Sequence, residues 1–392
     1  MGLILGCSTP KPVVHPKKKE VITSKPSTPL GEKKEENKKK ESYVIGLLMP
    51  FNLRQPLDTT EASDLQDRNI RNVAMEFYEG TLIALDSLER SGLECKVLVY
   101  DAENDSNQVK KLFFKEGLKS ANLLIGPFAG TYVSQVATFA NQNKIPLVSP
   151  LSNHSIKGKE YLALATPTVQ QQVKGMAEYI MSRYKKENII LVNPGSNSDL
   201  LFKIYQNVFT EENVKYQDLF MSKANIKALN AVLIPEKTNI IVLPSSNEAF
   251  VSELLHGLNT SKNRENTIVV GLPTWQNFEA SDFDMIQNLH TLFFDNVSLD
   301  RNSAAFKDFA ARYFRTFKTE PSVYAVQGFD NMWYWGGLLM KYGKKFWGEV
   351  ANTRADLIHT TFNFKRNEEG AYENQYVNIL QIKDFSLVKL NK

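Results

Sequence analysis

Cysteine is nearly absent: the 392 residues contain two, Cys7 and Cys95, and five histidines scattered along the chain. With so few, neither a disulfide framework nor a Cys/His metal centre can be assembled, and no paired CxxC occurs. The segment Gly126-Pro127-Phe128-Ala129-Gly130 makes a glycine turn but lacks the third glycine of a dinucleotide fingerprint. A G-x-S-x-G elbow, a P-loop and an H-E-x-x-H helix are likewise missing, so the chain is expected to be non-catalytic and to hold no cofactor and no metal. Beyond residue 43 no apolar run is long enough to span a bilayer, and no basic stripe is interleaved with aromatics. Nucleic acid is therefore not an expected partner. What remains is ordinary for a globular protein, with 42% hydrophobic and 23% charged residues. The net charge of +4 is drawn largely from the first forty residues.

That first stretch divides in two. Ile4-Leu5-Gly6-Cys7 resembles the lipobox of bacterial lipoproteins, in which the cysteine carries lipid. The basic start and full apolar stretch of a secretory signal are lacking, which a truncated or misassigned start would account for. Gly2 does not fit N-myristoylation, because Gly6 stands where that motif has Ser or Thr. Residues 8–42 are Lys, Glu, Pro, Ser and Thr with few large apolar side chains, and such a segment cannot offset its ordering entropy by burial. It reads as a disordered Lys/Pro-rich linker. If Cys7 is acylated, Cys95 has no partner, and burial as a small hydrophobe suits it better than reactivity.

From Tyr43 strands and helices alternate. The run Tyr43–Met49 is continuously apolar, as in a strand covered on both faces. A helix over 75–88, a strand over 96–100 and a helix through 112–114 follow. Next come NLLIGPFAG, TYVSQVATFANQNK and IPLVSPLSN, a β-loop-α-β-loop unit between Asn122 and Ser152 whose two loops leave the same end of a parallel sheet. A second set has helices over 169–184, 200–210 and 248–258, and strands over 188–193, 239–243, 267–271 and 290–294. Alternation of this kind implies right-handed βαβ units in two α/β halves with a cleft between them. The last quarter reads as an amphipathic helix over 304–317, an aromatic-rich helix over 324–342 and a terminal β-ribbon.

In order, YVIGLLMPF, FYEGTLIALDSLERSGL, VLVYDAENDS, LLIGPFAGTYVSQVATFANQNKIPLVSPLS and FKTEPSVYAVQGFDNMWY resemble the type I periplasmic binding proteins, in particular the branched-chain amino-acid receptors. Within that group the chain is most similar to Bacteroidota lipoproteins that join a peptidoglycan-binding LysM module to such a domain, with the linker here in the module's place. The resemblance spans residues 43–390. It implies an α/β fold of two Rossmann-like lobes with parallel sheets joined by a three-crossing hinge. Lobe one would be 43–160 plus 297–345, and lobe two 161–296 plus 346–392.

The same resemblance implies a small polar ligand, an amino acid or wall fragment, held between the lobes by a protein of the cell envelope. That protein would face the periplasm, be membrane-anchored through Cys7 and serve an ABC permease. Its ligand-carboxylate positions fall on Gly130 and Thr131 and on Leu151, Ser152 and Asn153. Helix N-termini attract anions, yet Gly130 as a turn and Thr131 and Ser152 as caps use the same geometry, so both readings stand. Loss of the Ser152 hydroxyl would weaken a carboxylate ligand by about 1–3 kcal/mol. On lobe two the expected contacts are Gly195, Ser196, Ser245 and Trp275, although packing as a hinge aromatic is the more common role for such a tryptophan. There the chain departs from the family: Pro194-Gly195-Ser196-Asn197 replaces an aromatic–glycine pair, and Leu272-Pro273-Thr274-Trp275 offers no carboxylate for a ligand amine. A non-transport alternative uses the same fold as a protein–protein scaffold regulating a peptidoglycan synthase.

Overall fold

The computed structural model describes residues 42–54, 62–103, 105–128, 130–195, 200–278, 283–384 and 386–391. Cys7, the linker up to residue 41 and Ser196 lie outside the described residues.

The first lobe opens with β1 (Tyr43–Met49), α1 (Ala62–Arg90), β2 (Cys95–Asp101), α2 (Ser106–Leu112), α3 (Glu116–Lys119), β3 (Leu123–Ile125), α4 (Gly130–Asn143), β4 (Leu147–Ser149) and β5 (Leu162–Leu164). The chain then builds the second lobe from α5 (Val169–Tyr184), β6 (Asn188–Asn193), α6 (Leu200–Glu211), β7 (Gln217–Phe220), α7 (Ile226–Val232), β8 (Asn239–Val242), α8 (Glu248–Asn259), β9 (Thr267–Val270), α9 (Phe283–Asn288) and β10 (Leu292–Asp295). It returns with α10 (Ala304–Phe317), α11 (Val323–Tyr342), β11 (Ala355–Asp356), β12 (Thr361–Phe362), β13 (Phe364–Arg366) and β14 (Tyr372–Asn374), and ends in β15 (Asn378–Lys383) and β16 (Ser386–Lys389).

Each lobe carries a seven-stranded sheet, ordered β13-β14-β5-β4-β3-β1-β2 in one and β16-β15-β10-β9-β8-β6-β7 in the other. The five strands first laid down in each run parallel. Antiparallel pairs are confined to the strands added late, β13 with β14, β10 with β15 and β15 with β16. This is the two-lobed α/β architecture expected from the sequence. Three crossings join the lobes: 165–168 after β5, 296–303 after β10 and 375–377 after β14.

Strand periodicity explains the layering. Ile45, Leu47 and Met49 face a core shared with α1, α10 and α11, whereas Leu48 turns to a second core with α2, α3 and α4. Caps set the helix starts. Thr168 Oγ1 accepts from Gln171 N after Pro167, and Ser303 and Ser322 accept from the first turns of α10 and α11. The helices α1 and α11 pack backbone to backbone. A Cβ on Gly80 would lie 1.8 Å from the Ala325 carbonyl oxygen, and one on Gly328 would lie 1.9 Å from that of Phe77. Thr81 Oγ1 bonds the Phe77 carbonyl at 2.9 Å within this crossing.

The strand pairings divide the chain differently from the expected boundaries. Residues 161–164 and 346–374 are expected in lobe two, but β5 pairs with β4 and β14, placing these strands in the first sheet. Phe346, Trp347, Phe362, Phe364 and Tyr372 are buried there with Trp335. Only β15 and β16 of the tail complete the second sheet. The helix expected through 112–114 instead ends at Leu112, with Phe113 as its C-cap.

Among the described residues, no helix is long and apolar enough to cross a membrane.

Candidate functional site

The carboxyl ends of both parallel sheets point their loops at the hinge region, the place where open α/β sheets take ligands. A cavity of about 610 Å³ lies there. Lobe one supplies Phe128 from the β3–α4 loop, Leu151 after β4, Ile70 and Val73 from α1, and Gln327 from α11. The end of β10 supplies Asp295, and the crossings supply Thr166, Asn296 and Val297. The volume falls in the range of small-molecule pockets, and apolar walls with a few convergent polar groups are the usual composition of one.

Buried amides hold the crossings that frame this cavity. Gln172 Nε2 donates to Asn296 Oδ1 at 2.7 Å and to the Pro167 carbonyl at 3.0 Å, tying the first crossing to the second. Fully buried Asn374 reaches further. Its Nδ2 donates to the carbonyls of Ala165 and Thr361, and its Oδ1 accepts from Asn363 N and Tyr376 N. Beside them the buried His359 ring places Nδ1 2.6 Å from Asp330 Oδ2, and the His359 carbonyl accepts from Ser298 N. Polar groups at such depth are stable only when paired, and here each joins separate segments.

The expected contact residues are distributed unevenly around this geometry. Leu151 lines the cavity. Gly130 begins α4, and Thr131 lies in a different concavity with Ser134, His154, Lys157 and Lys159. Ser152 is only 4% exposed, and its hydroxyl accepts from His154 N at 3.4 Å, closing a local turn. Asn153 is half-buried beside it. Gly195 has φ +77 and donates its N–H to Asn193 Oδ1, a turn within lobe two. Ser245 is buried, with its hydroxyl accepting from Asn247 N and its carbonyl from Trp275 Nε1 at 2.8 Å.

Trp275 corrects an expectation. With no exposed surface it stands edge-on to Phe293 in the lobe-two core, in space that Gly271 leaves open. Its indole N–H is already satisfied, so it offers a ligand neither a face nor a donor. Cys95, half-buried at the start of β2, behaves as expected of a packed thiol; burial, with Glu89 adding, pushes its pKa up.

Sequence reasoning missed Asp295. The carboxylate absent from the loop after β9 stands one strand over, at the end of β10 and at the edge of the cavity. The signal was present in the sequence: an acid directly following the apolar run HTLFF occupies the same strand-end position as the loops that were considered. Burial raises the Asp295 pKa, with the backbone N–H groups of Val297 and Asn296 opposing that rise.

Two parallel-sheet lobes of like strand order, three crossings and a hinge cavity define the type I periplasmic binding protein fold. Solved structures of this class superpose on nearly the whole described chain. A putative branched-chain amino acid ABC transporter protein from Rhodospirillum rubrum matches with a TM-score of 0.66 at 13% identity, covering 89% of this chain and 100% of that one. An ABC transporter substrate-binding protein from Desulfitobacterium hafniense, in complex with Leu, gives 0.57 at 15% identity with coverages of 89% and 100%. A solute-binding protein from R. palustris in complex with benzoate gives 0.51 at 14% identity with coverages of 89% and 96%. No family description and no curated protein matches the chain. At such identities the likeness establishes the fold.

Proposed function

We propose that this protein is a non-catalytic ligand-binding protein of the cell envelope whose lobes close over a small molecule, as the substrate-binding component of an ABC transporter does. The cavity at the three-crossing hinge carries this reading, because a ligand there touches lobe one and the crossings at once. Closure then needs only a higher affinity for the closed arrangement. Leu151 is a contact in this reading, and the anion-binding start of α4 near Thr131 is a further candidate. The neighbours bound to Leu and benzoate support a small organic ligand. The lipobox-like Cys7 supports a lipid anchor at the periplasmic face, with a permease as partner.

One observation favours the scaffold alternative. Two of the lobe-two residues expected to touch a ligand, Ser245 and Trp275, bond one another, and Trp275 is fully buried. A thermal-shift screen of the full chain against amino acids, amines, carboxylates and wall fragments separates the two. A ligand at 100 times its Kd stabilises by about 2.7 kcal/mol, which is readily seen. If nothing in the library moves the melting point while a purified peptidoglycan synthase binds, the solute-binding reading fails.

A further inference from the structure

Among the described residues that line the hinge cavity, Asp295 alone bears a formal charge. Its Oδ1 accepts from Val297 N at 3.2 Å, and no described Lys, Arg or His pairs with it. Around it the walls are largely hydrocarbon: Ile70, Val73, Phe128 and Leu151 from lobe one, with Val297 and Val323 nearer the crossing. The buried Gln327 side-chain amide completes the rim without a protein partner among the described residues. An isolated carboxylate against apolar walls is poorly compensated, and a cation that enters beside it gains a Coulombic attraction that offsets its own desolvation cost. A ligand carboxylate in the same place meets like charge.

Resting on the solute-binding reading above, we propose that the hinge cavity is a site for a small organic cation, a protonated amine set against Asp295 with a compact apolar body on Ile70, Val73, Phe128 and Leu151. Gln327 then serves a neutral polar group on the ligand, if it has one. Free amino acids are disfavoured, since their own carboxylate has no described cation in the cavity to meet it. Burial raises the Asp295 pKa, and an ammonium group set against it would oppose that shift.

The test uses the full chain and three ligands of one shape: 2-phenylethylamine, 2-phenylethanol and 3-phenylpropionate, titrated by calorimetry at neutral pH. The amine is expected to bind at least tenfold more tightly than the alcohol or the acid. Asp295→Asn should cost the amine about tenfold or more while leaving the alcohol within threefold, in a variant whose melting curve shows it folded. Leu151→Trp, which fills the apolar wall, should weaken amine and alcohol alike. Equal or tighter binding of the acid or alcohol, or an amine affinity untouched by Asp295→Asn, overturns the inference. If amino acids, carboxylates or wall fragments bind and compact the protein in small-angle scattering while the amine does not, the cation site is wrong and solute binding stands. Failure of every ligand in both experiments removes both.

Discussion

The two lobes share a strand order but treat the cleft differently. In lobe one the loops after β3 and β4, together with α1 and α11, open onto the cavity. In lobe two the described parts of the loops after β6, β8 and β9 bond within that lobe: Gly195 bonds Asn193, and Ser245 receives the Trp275 indole. Among the described residues, lobe two reaches the cavity through the end of β10. The cavity is thus polarised, with lobe one lining most of its walls and the end of β10 placing its charge. A shared fold does not imply a shared division of labour between its halves.

The largest test of this contrast concerns rigidity. In lobe one Gly328 meets the backbone of α1, which cannot step aside, whereas in lobe two Gly257 meets the Ile226 side chain, which can rotate. Gly328→Ala should destabilise by roughly 3 kcal/mol or more, and Gly257→Ala by about 1–2 kcal/mol, by chemical denaturation. Similar costs for both would show that the α1–α11 contact is no stiffer than its lobe-two counterpart.

A smaller effect tests the charge at the crossing. The folded-state pKa of Asp295 is raised, so the native protein holds this proton more tightly than the unfolded chain, whose value is about 3.9. The group's contribution to stability therefore falls as pH rises from that value through the folded pKa, and the cost persists above it. In the ligand-free protein Asp295→Asn should raise the melting point at pH 7, and the gain should shrink toward nil below about pH 4. A gain of equal size at both ends of this range would assign it to packing rather than charge.

The smallest expected effect is at Ser152. With its hydroxyl buried in the turn to His154, Ser152→Ala should change ligand affinity by less than about threefold. A loss of tenfold would restore the strand-end loop after β4 as a direct contact and make lobe one polar as well as apolar in recognition.

These placements also mark how far the residues alone could be read. Long buried runs and capped amphipathic helices announced themselves: β1, α5, β6 and α10 have the bounds their patterns imply. Three-residue β5 and the exposed edge strand β7 did not, since neither is long enough or apolar enough to show a period. Missing β5 moved the expected lobe boundary, because its partner β14 comes about two hundred residues later. At the site the difficulty was similar. Trp275 in a loop looks the same in sequence whether it faces solvent or core, and only the Ser245 carbonyl across the chain decides. Strand-end position made Leu151 legible, and would have made Asp295 so.

The late strands have a consequence for synthesis. Each sheet takes the strands of one side from the last part of the chain: β14 docks beside β5, and β15 beside β10. A ribosome that has made every residue of the two parallel five-strand units has still finished neither lobe. Until residues 372–383 emerge, β5 and β10 each present an unpaired edge to the cell. Such a nascent chain is open to mispairing until then, and both halves become complete almost together.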